Sequence, residues 1–598
     1  MTRMTRGAAR SMAILVAALA LVLVANRTAG APLGGPQQSV VAESGMVSTS
    51  NHYATLVGLE ILQSGGAAID AMVAVQLALT VTEPYASGIG GGCFIMLHDA
   101  ATGSIVALDG REEAPAAYHG AVFLDDNGDV IPFDERSTGG MPVGVPGTLA
   151  AMARALDEYG TMTLSDLAAP AVRLARDGFV LDRGFSQQIA ANKERLARFP
   201  HSVALYLTSD GEAKASGSTF HNPDLADTLE LIAAEGVDAF YNGAIAQDIV
   251  GAVRMAPHNP GVMTAADVAR YRAVYREPVR SGYRGYEVVG MNMPTSGGAS
   301  LAMMLNLLEG VDLPSMTWGS LAATRRIADA QNIVFADRNA YMGDADFVDV
   351  PLERLLSKDY ARTRRGLMLP LNAVPPPVAP GDLGLTPSNG SAEGGHTTHF
   401  CVVDSQRNVV SVTTTIERYF GSAMTVPGRG FLLNNELTDF ETHALNDDGT
   451  FAANGPSGGV RARRTALGDD AETQGGKRPR SSMAPTIVLR DGRPVLAVGS
   501  PGGSTIIGTT LNVILNVLDF GMDVQEAVNA PRVIARNGAV DLESRLFADA
   551  ALVAGLRAKG FVVRDAGSVG AAQAVGIADD GSLRGAADPR KNGLALGH

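Results

Sequence analysis

The sequence predicts two stacked β-sheets covered by helices on both outer faces, an α/β (α+β) architecture. Apolar residues recur at helical spacing from Tyr53 to Leu62 and fall almost all round from Ala67 to Thr82, after which a glycine loop feeds strands. From Thr397 onward the pattern turns to β-forming residues, and an apolar helical stretch from Thr505 to Leu518 closes the order. Helices, then strands, then helices again are what layers need if each is to bury an apolar face. No internal repeat is present.

The amino-terminal element is a targeting segment. Arg3, Arg6 and Arg10 precede an apolar run from Met12 to Ala25, and Ala29-Gly30-Ala31 offers a small-residue cleavage site. The run is short for a bilayer span. Residues 1–31 are therefore expected to be a signal peptide, or an anchor if uncleaved, and the protein to be periplasmic or secreted.

The first helical run ends at Gly65-Gly66, glycines suited to a helix C-cap, and Pro84 stops the second. SGIGGGCFIML then reads as a glycine loop entering a strand, and SIVALDGREEAP as the next strand, leaving Arg111 at its end. Helices follow at Gly147 to Tyr159 and Leu164 to Asp177, a largely helical region from Ser186 to Arg280, a strand at Tyr286 to Met291, and helices at Ala299 to Leu308 and Trp318 to Tyr341. Pro375 to Gly395 reads as solvated loop. Thr397 to Asp404 and Val409 to Ile416 flank the turn Ser405-Gln406-Arg407-Asn408, a hairpin signal that sets Thr397 opposite Thr415 or Ile416. Phe440 to Arg480 is long and polar, and short strands follow at Thr486 to Leu489 and Val495 to Val498.

Composition narrows the function classes. A chain of 598 residues, 46% hydrophobic with 69 glycines, can build a large core. Its net charge of -14 speaks against a nucleic-acid partner. The basic clusters Arg461–Arg464 and Lys477–Arg480 are expected to be solvated loop, and the two cysteines, Cys93 and Cys401, to be small buried hydrophobes.

Thr397 carries the chemistry. It stands where flexible loop meets buried strand, the place where a chain can cut itself to expose a new amino terminus. A threonine there unites a nucleophilic hydroxyl with its own α-amine as base. An α-amine has a pKa of about 7.7–8.0, so it takes the hydroxyl proton near neutrality without elaborate tuning. Before cleavage the same nitrogen is an amide, so the precursor is expected to be inactive.

HTTHFCVVD, NVVSVTTTIERYFG, GFLLNNELTDF, RPRSSMAPT and GSPGGS, in this order, resemble the γ-glutamyltransferase (γ-glutamyltranspeptidase) family of N-terminal-nucleophile hydrolases. NHYATLVGLEILQSGGAAIDAMVA, GIGGGCFIML, ALDGREEAP, GVPGT, MPTSGG, ADRNAYMGDADF and ADPRKNG extend the likeness from about Met46 to the carboxyl end. The resemblance implies a four-layer αββα sandwich made from one precursor, with residues 32–396 as large subunit and 397–598 as small subunit in a single unit. It implies cutting between His396 and Thr397, Thr397 as nucleophile, and Thr415 as its hydroxyl partner. Arg111, Ser481 and Ser482 match the groups that hold a substrate α-carboxylate; Glu436 and Asp439 match the acidic pair for its α-ammonium. Gly502 and Gly503 match the oxyanion hole, where backbone amides approach the developing charge. Three positions depart from the usual pattern: Glu417 for an asparagine near the substrate α-carbon, Cys401 for a serine, and Arg407 for a turn glycine.

The implied activity is cleavage of the γ-glutamyl amide of glutathione and related compounds through a γ-glutamyl-Thr397 ester, resolved by water or by an amino acid or peptide, with no metal or organic cofactor. A glutaryl-type cephalosporin acylase is the alternative, and an exported binding protein that has lost the chemistry a second. Three patterns are discounted. Gly455-Pro456-Ser457-Gly458-Gly459 fits a nucleophile elbow but lacks the flanking strand and helix. His396 and His399 lack further ligands at metal spacing, and the glycine loop at Gly88 leads into a strand rather than a helix.

Overall fold

The computed structural model describes residues 38–368, 375–388, 395–456 and 476–598. Two seven-stranded sheets form its centre. One runs in the order Leu594–Gly597, Met46–Thr49, Thr397–Val403, Val409–Thr415, Gly92–Asp99, Ser104–Gly110 and Val274–Arg276, antiparallel throughout. The other runs Val40–Ala42, Leu583–Ala587, Gln573–Ile577, Arg493–Gly499, Thr486–Arg490, Tyr286–Gly290 and Val279–Tyr283, again antiparallel.

Side-chain alternation shows why the two sheets stack. Along the strand that begins at Thr397, Phe400 and Val402 join the core shared with the His52–Gln63 and Ala68–Thr82 helices. Cys401 and Val403 point the other way, into the core shared with Leu496, Ala497 and Val575 of the second sheet. The Gly297–Leu308, Leu321–Tyr341 and Ile506–Leu518 helices cover that sheet's far side. Four layers result, αββα. The β-forming residues read after Thr397 supply apolar side chains to both faces from Phe400 to Val403.

The local signals match the elements. Asn51 caps the His52–Gln63 helix by accepting from the Tyr53 and Ala54 amides. Gly65, at φ +91°, ends it in a conformation that suits glycine. The Ala68–Thr82 helix is buried on every residue, as its all-round apolar pattern predicts. The glycine loop before Gly92–Asp99 is a packing device: a Cβ on Gly90 would lie 2.1 Å from the Leu432 carbonyl oxygen, and one on Gly91 2.0 Å from that of Thr415. Both cysteines are buried and unpaired with each other.

Three expectations need correction or closure. Lys477, Arg478 and Arg480 are not solvated but buried, at 0, 2 and 0% exposure. Arg478 pairs with Asp109 at 2.6 Å and Glu113 at 2.9 Å, while Lys477 donates to the carbonyls of Ala453 and Gly455. The 375–388 stretch has no helix or strand, but it is anchored rather than free, with Val378 and Leu383 in the core. Arg407 occupies the left-handed region at φ +70°, where a glycine costs nothing, and offsets the strain by donating to the carbonyls of Glu43 and Gly581 at 2.8 and 2.9 Å. The expected amino-terminal targeting segment, the Arg461–Arg464 cluster and Ser457 lie outside the described residues, among which no helix is long and apolar enough to cross a membrane.

Candidate active site

The hairpin register decides the first feature of the site. Thr397 pairs with Thr415, resolving the two alternatives, and the Thr397 hydroxyl donates to the Thr415 hydroxyl at 3.4 Å. Thr415 Oγ1 in turn accepts from the Glu417 amide at 2.8 Å and donates to the His396 carbonyl at 3.3 Å. A hydroxyl pair therefore sits against the peptide bond that joins His396 to Thr397.

A small, partly open cavity lies beside this pair. Arg111, Thr397, Thr415, Glu417, Glu436, Asp439, Ser481, Ser482 and Gly503 all line it, although they come from strand ends and loops spread over almost 400 residues. Gly395, Met483 and Ile506 complete the lining. Gly502 stands one residue behind Gly503, at φ +132°, in a turn that leads into the Ile506–Leu518 helix. Ile506, the first residue of that helix, lines the cavity with Gly503, so the positive end of the helix dipole lies at its wall.

The charged groups are buried and matched to one another. Arg111 ends the Ser104–Gly110 strand, and its own amide is held by Asp109 at 2.8 Å. Its guanidinium bonds Glu436 through Nη1 and Asp439 through Nη2, the latter at 2.6 Å, and donates to the carbonyls of Pro479 and Arg480 at 3.1 and 3.2 Å. Burial alone would lower its pKa; the charges of Glu436, Asp439 and Glu112 outweigh that and raise it. Glu436 is pushed well above the ordinary carboxylate range by burial. Glu417, at φ +74°, is raised to about 8 by burial and then by Asp439, and its Oε1 has no hydrogen-bond partner among the described residues.

Ser482 accepts from Arg338 Nη2 at 2.7 Å, and Ser481 Oγ accepts from the Met483 amide at 3.1 Å. The serine pair is thus fixed on irregular backbone by neighbours rather than by a sheet ladder. The Ser481 carbonyl takes bonds from the Ser296 amide and hydroxyl at 2.9 and 2.7 Å, which ties the segment to the turn before the Gly297–Leu308 helix.

Not every participant was visible in the sequence. Glu112, fully buried 3.8 Å from Arg111 Nη1, is raised to about 7 by burial and adds a further acid to the Arg111 surroundings. A Cβ on Gly92 would lie 2.2 Å from its Oε2, so the glycine loop also makes room for it. Tyr419 and Lys591 lie outside the cavity, beside the His396–Thr397 bond. The Tyr419 ring stacks on His396, with centroids 3.6 Å apart, and Lys591 Nζ reaches the Thr397 carbonyl at 3.4 Å and Glu83 at 2.8 Å. Only their presence within quoted motifs marked them beforehand.

A hydroxyl pair, a guanidinium and two acids in one small cavity can hold a zwitterion beside a hydroxyl. No group of three or more His, Cys, Asp or Glu side chains suited to a metal ion occurs among the described residues. Residues 54–598 match the family model described as Gamma-glutamyltranspeptidase. The chain is 38% identical over 577 residues to a glutathione hydrolase proenzyme of Bacillus subtilis, spanning 94% of this chain and 92% of that protein. It is 39% identical over 556 residues to a glutathione hydrolase proenzyme of Escherichia coli, spanning 92% and 91%. The solved cephalosporin acylase from Bacillus halodurans superposes with a TM-score of 0.80 at 25% identity, over 95% of this chain and 98% of that one.

Proposed function

The chain belongs to the gamma-glutamyltranspeptidase family, and on that footing we propose that it is a self-cleaving γ-glutamyl hydrolase and transferase acting on glutathione and related γ-glutamyl amides. Cutting between His396 and Thr397 would free an α-amine beside the Thr397 hydroxyl. That amine accepts the hydroxyl proton as Thr397 Oγ1 attacks the γ-carbonyl, and the Thr415 hydroxyl holds the attacking oxygen in line. The Gly502-Gly503 amides stabilise the oxyanion, each such donor being worth about 3–4 kcal/mol in the transition state. The amine product leaves with the proton, and the γ-glutamyl-Thr397 ester remains. Water resolves it to glutamate, or an amino acid or peptide resolves it to a new γ-glutamyl amide. None of these steps calls on a metal or organic cofactor.

One observation carries this reading: the cavity that contains Thr397 also contains Arg111, Glu436 and Asp439, with the cation already paired to both acids. A zwitterionic α-amino acid head suits these groups, its carboxylate replacing the acids on Arg111 and Ser481–Ser482, its ammonium taking the acids released. A glutaryl group brings no ammonium and would leave Glu436 and Asp439 buried without a counter-charge, an expensive outcome. Comparing turnover of γ-glutamyl and glutaryl p-nitroanilides tests the point. Preference for the γ-glutamyl compound is expected, and preference for glutaryl would assign an acylase instead.

We further propose that residues 32–396 and 397–598 persist as large and small subunits of one αββα unit, since each sheet contains strands of both parts hydrogen-bonded to one another. The amino-terminal basic and apolar segment supports export to the periplasm or beyond.

A further inference from the structure

The two walls of the cavity's charged end come from separate segments. Glu436 and Asp439 stand on one tight turn, Glu436–Asp439, and Ser481 and Ser482 on the irregular backbone that follows Arg480. Arg111 bridges the walls, donating to the Asp439 carboxylate at 2.6 Å and to the Arg480 carbonyl at 3.2 Å. Asn454 bridges them again. Its Nδ2 donates to the Asp439 carbonyl at 2.6 Å, and its Oδ1 accepts from the Arg480 amide at 2.8 Å. A carbonyl on one side and an N–H on the other admit a single orientation of the side-chain amide. The Asn454 carbonyl also accepts from the Glu441 amide at 2.9 Å. The residue is fully buried and stands outside the cavity lining.

We propose that Asn454 is a positioning residue for the donor: it fixes the separation between the acid that takes the α-ammonium and the serines that take the α-carboxylate. This rests on the γ-glutamyl reading above. The two bridges respond differently to a donor. Its carboxylate displaces Asp439 from Arg111, so the Arg111 bridge opens as the head enters. Both side-chain bonds of Asn454 run to backbone atoms, so its bridge stays closed. A head held at two points binds well when both points already stand at the right distance; ordering them during binding would cost affinity.

Asn454 is itself firmly placed. The Lys477 ammonium donates to the carbonyls on either side of it, Ala453 at 3.2 Å and Gly455 at 2.8 Å. The Ala453 amide donates to Ser388 Oγ at 2.7 Å, and the Ala452 amide to the Ala444 carbonyl at 2.9 Å. Gly343 leaves the room this turn needs, since a Cβ there would lie 2.1 Å from the Ala453 carbonyl oxygen.

The test measures inhibition of γ-glutamyl p-nitroanilide hydrolysis by L-glutamate, glutarate and 4-aminobutyrate. Glutarate lacks the ammonium and 4-aminobutyrate the carboxylate, so each engages one wall. In Asn454→Ala the donor KM and the glutamate Ki should both rise about ten-fold, the scale of one hydrogen bond. The glutarate and 4-aminobutyrate Ki values, and kcat, should move by less than about two-fold, because each depends on one wall or on Thr397 alone. Asn454→Asp keeps the volume and decides the matter if Asn454→Ala fails to mature. Protonated, the new carboxyl group can both donate to the Asp439 carbonyl and accept from the Arg480 amide; ionised, it cannot donate. Its donor KM, divided by that of the wild type, should be near unity at acid pH and climb about ten-fold as pH rises. The charged groups around the turn, Asp439, Glu441, Asp344, Lys477 and Arg480, are common to both proteins and cancel in that ratio. An unchanged donor KM in Asn454→Ala, an equal rise in all three Ki values, or a flat KM ratio in Asn454→Asp would overturn the role. A wild type inhibited no better by L-glutamate than by glutarate would instead overturn the γ-glutamyl reading on which it rests.

Discussion

Two stretches of this chain meet at one cavity but are held there by opposite means. The hairpin Thr397–Val403 and Val409–Thr415 lies inside a sheet, paired on both sides, with every residue buried. Its position follows from an apolar pattern and a register, and a slip of one residue would turn every side chain to the other face. The stretch from Lys477 to Ser482 has no ladder at all. It is fixed by buried cations and side-chain bonds to backbone: Arg478 to Asp109 and Glu113, Arg480 to the carbonyl of Met342, and Asp344 to the Arg478 amide at 2.8 Å. The proposed nucleophile is placed by the fold, and the proposed clamp for the substrate's charged head by an ion-pair network laid over it.

The largest effect expected is on the ladder side. Thr397→Ala removes hydroxyl and chemistry while leaving the sheet intact, so the chain should remain one band on a denaturing gel, with a wild-type melting curve and no turnover. Next comes Arg478→Met. Removing one partner of a buried pair leaves Asp109 and Glu113 short of charge, which typically costs about 3–5 kcal/mol. A lower denaturant midpoint would register it, together with a raised donor KM, because Asp109 also holds the Arg111 amide. Should Arg478→Met prove neutral, the network is ornament and the comparison fails.

Arg111→Met tests the clamp, and because it also leaves Glu436 and Asp439 buried without their cation, a lower denaturant midpoint is expected beside the kinetic loss. Charge-assisted bonds to a substrate carboxylate are worth about 2–3 kcal/mol, so kcat/KM for the donor should fall roughly 30- to 150-fold. The cleavage between His396 and Thr397, which Arg111 does not touch, should proceed. The smallest effect concerns Glu417. Its folded pKa of about 8 stands above the ordinary carboxylate value of 4.5, so the folded state holds a proton that the unfolded chain gives up. Its contribution to stability is full below pH 4.5 and is lost as pH rises toward 8. Melting temperature should therefore decline across that window less steeply in Glu417→Gln than in the wild type; parallel declines would show that another group is responsible.

The same contrast explains what was legible in the sequence. The Thr397 hairpin, the glycine loop and the all-apolar Ala68–Thr82 helix are local patterns, and a local pattern can be read from neighbours alone. The Lys477–Arg480 cluster was misread because four residues with three cations resemble a surface, and the acids that bury them lie far off: Glu113 is 365 residues and Asp344 134 residues from Arg478. Glu112 hid for the same reason, behind the more conspicuous Arg111. Register was the other gap. Sequence left Thr397 facing Thr415 or Ile416, and the choice was made by the Met46–Thr49 and Gly92–Asp99 strands that flank the hairpin.

Everything proposed for the chemistry requires a free amine on Thr397. Amino-terminal sequencing of both bands of purified, active protein tests this most directly. The account predicts a small subunit beginning Thr397-Thr398-His399-Phe400; full activity from a single uncut chain would contradict it.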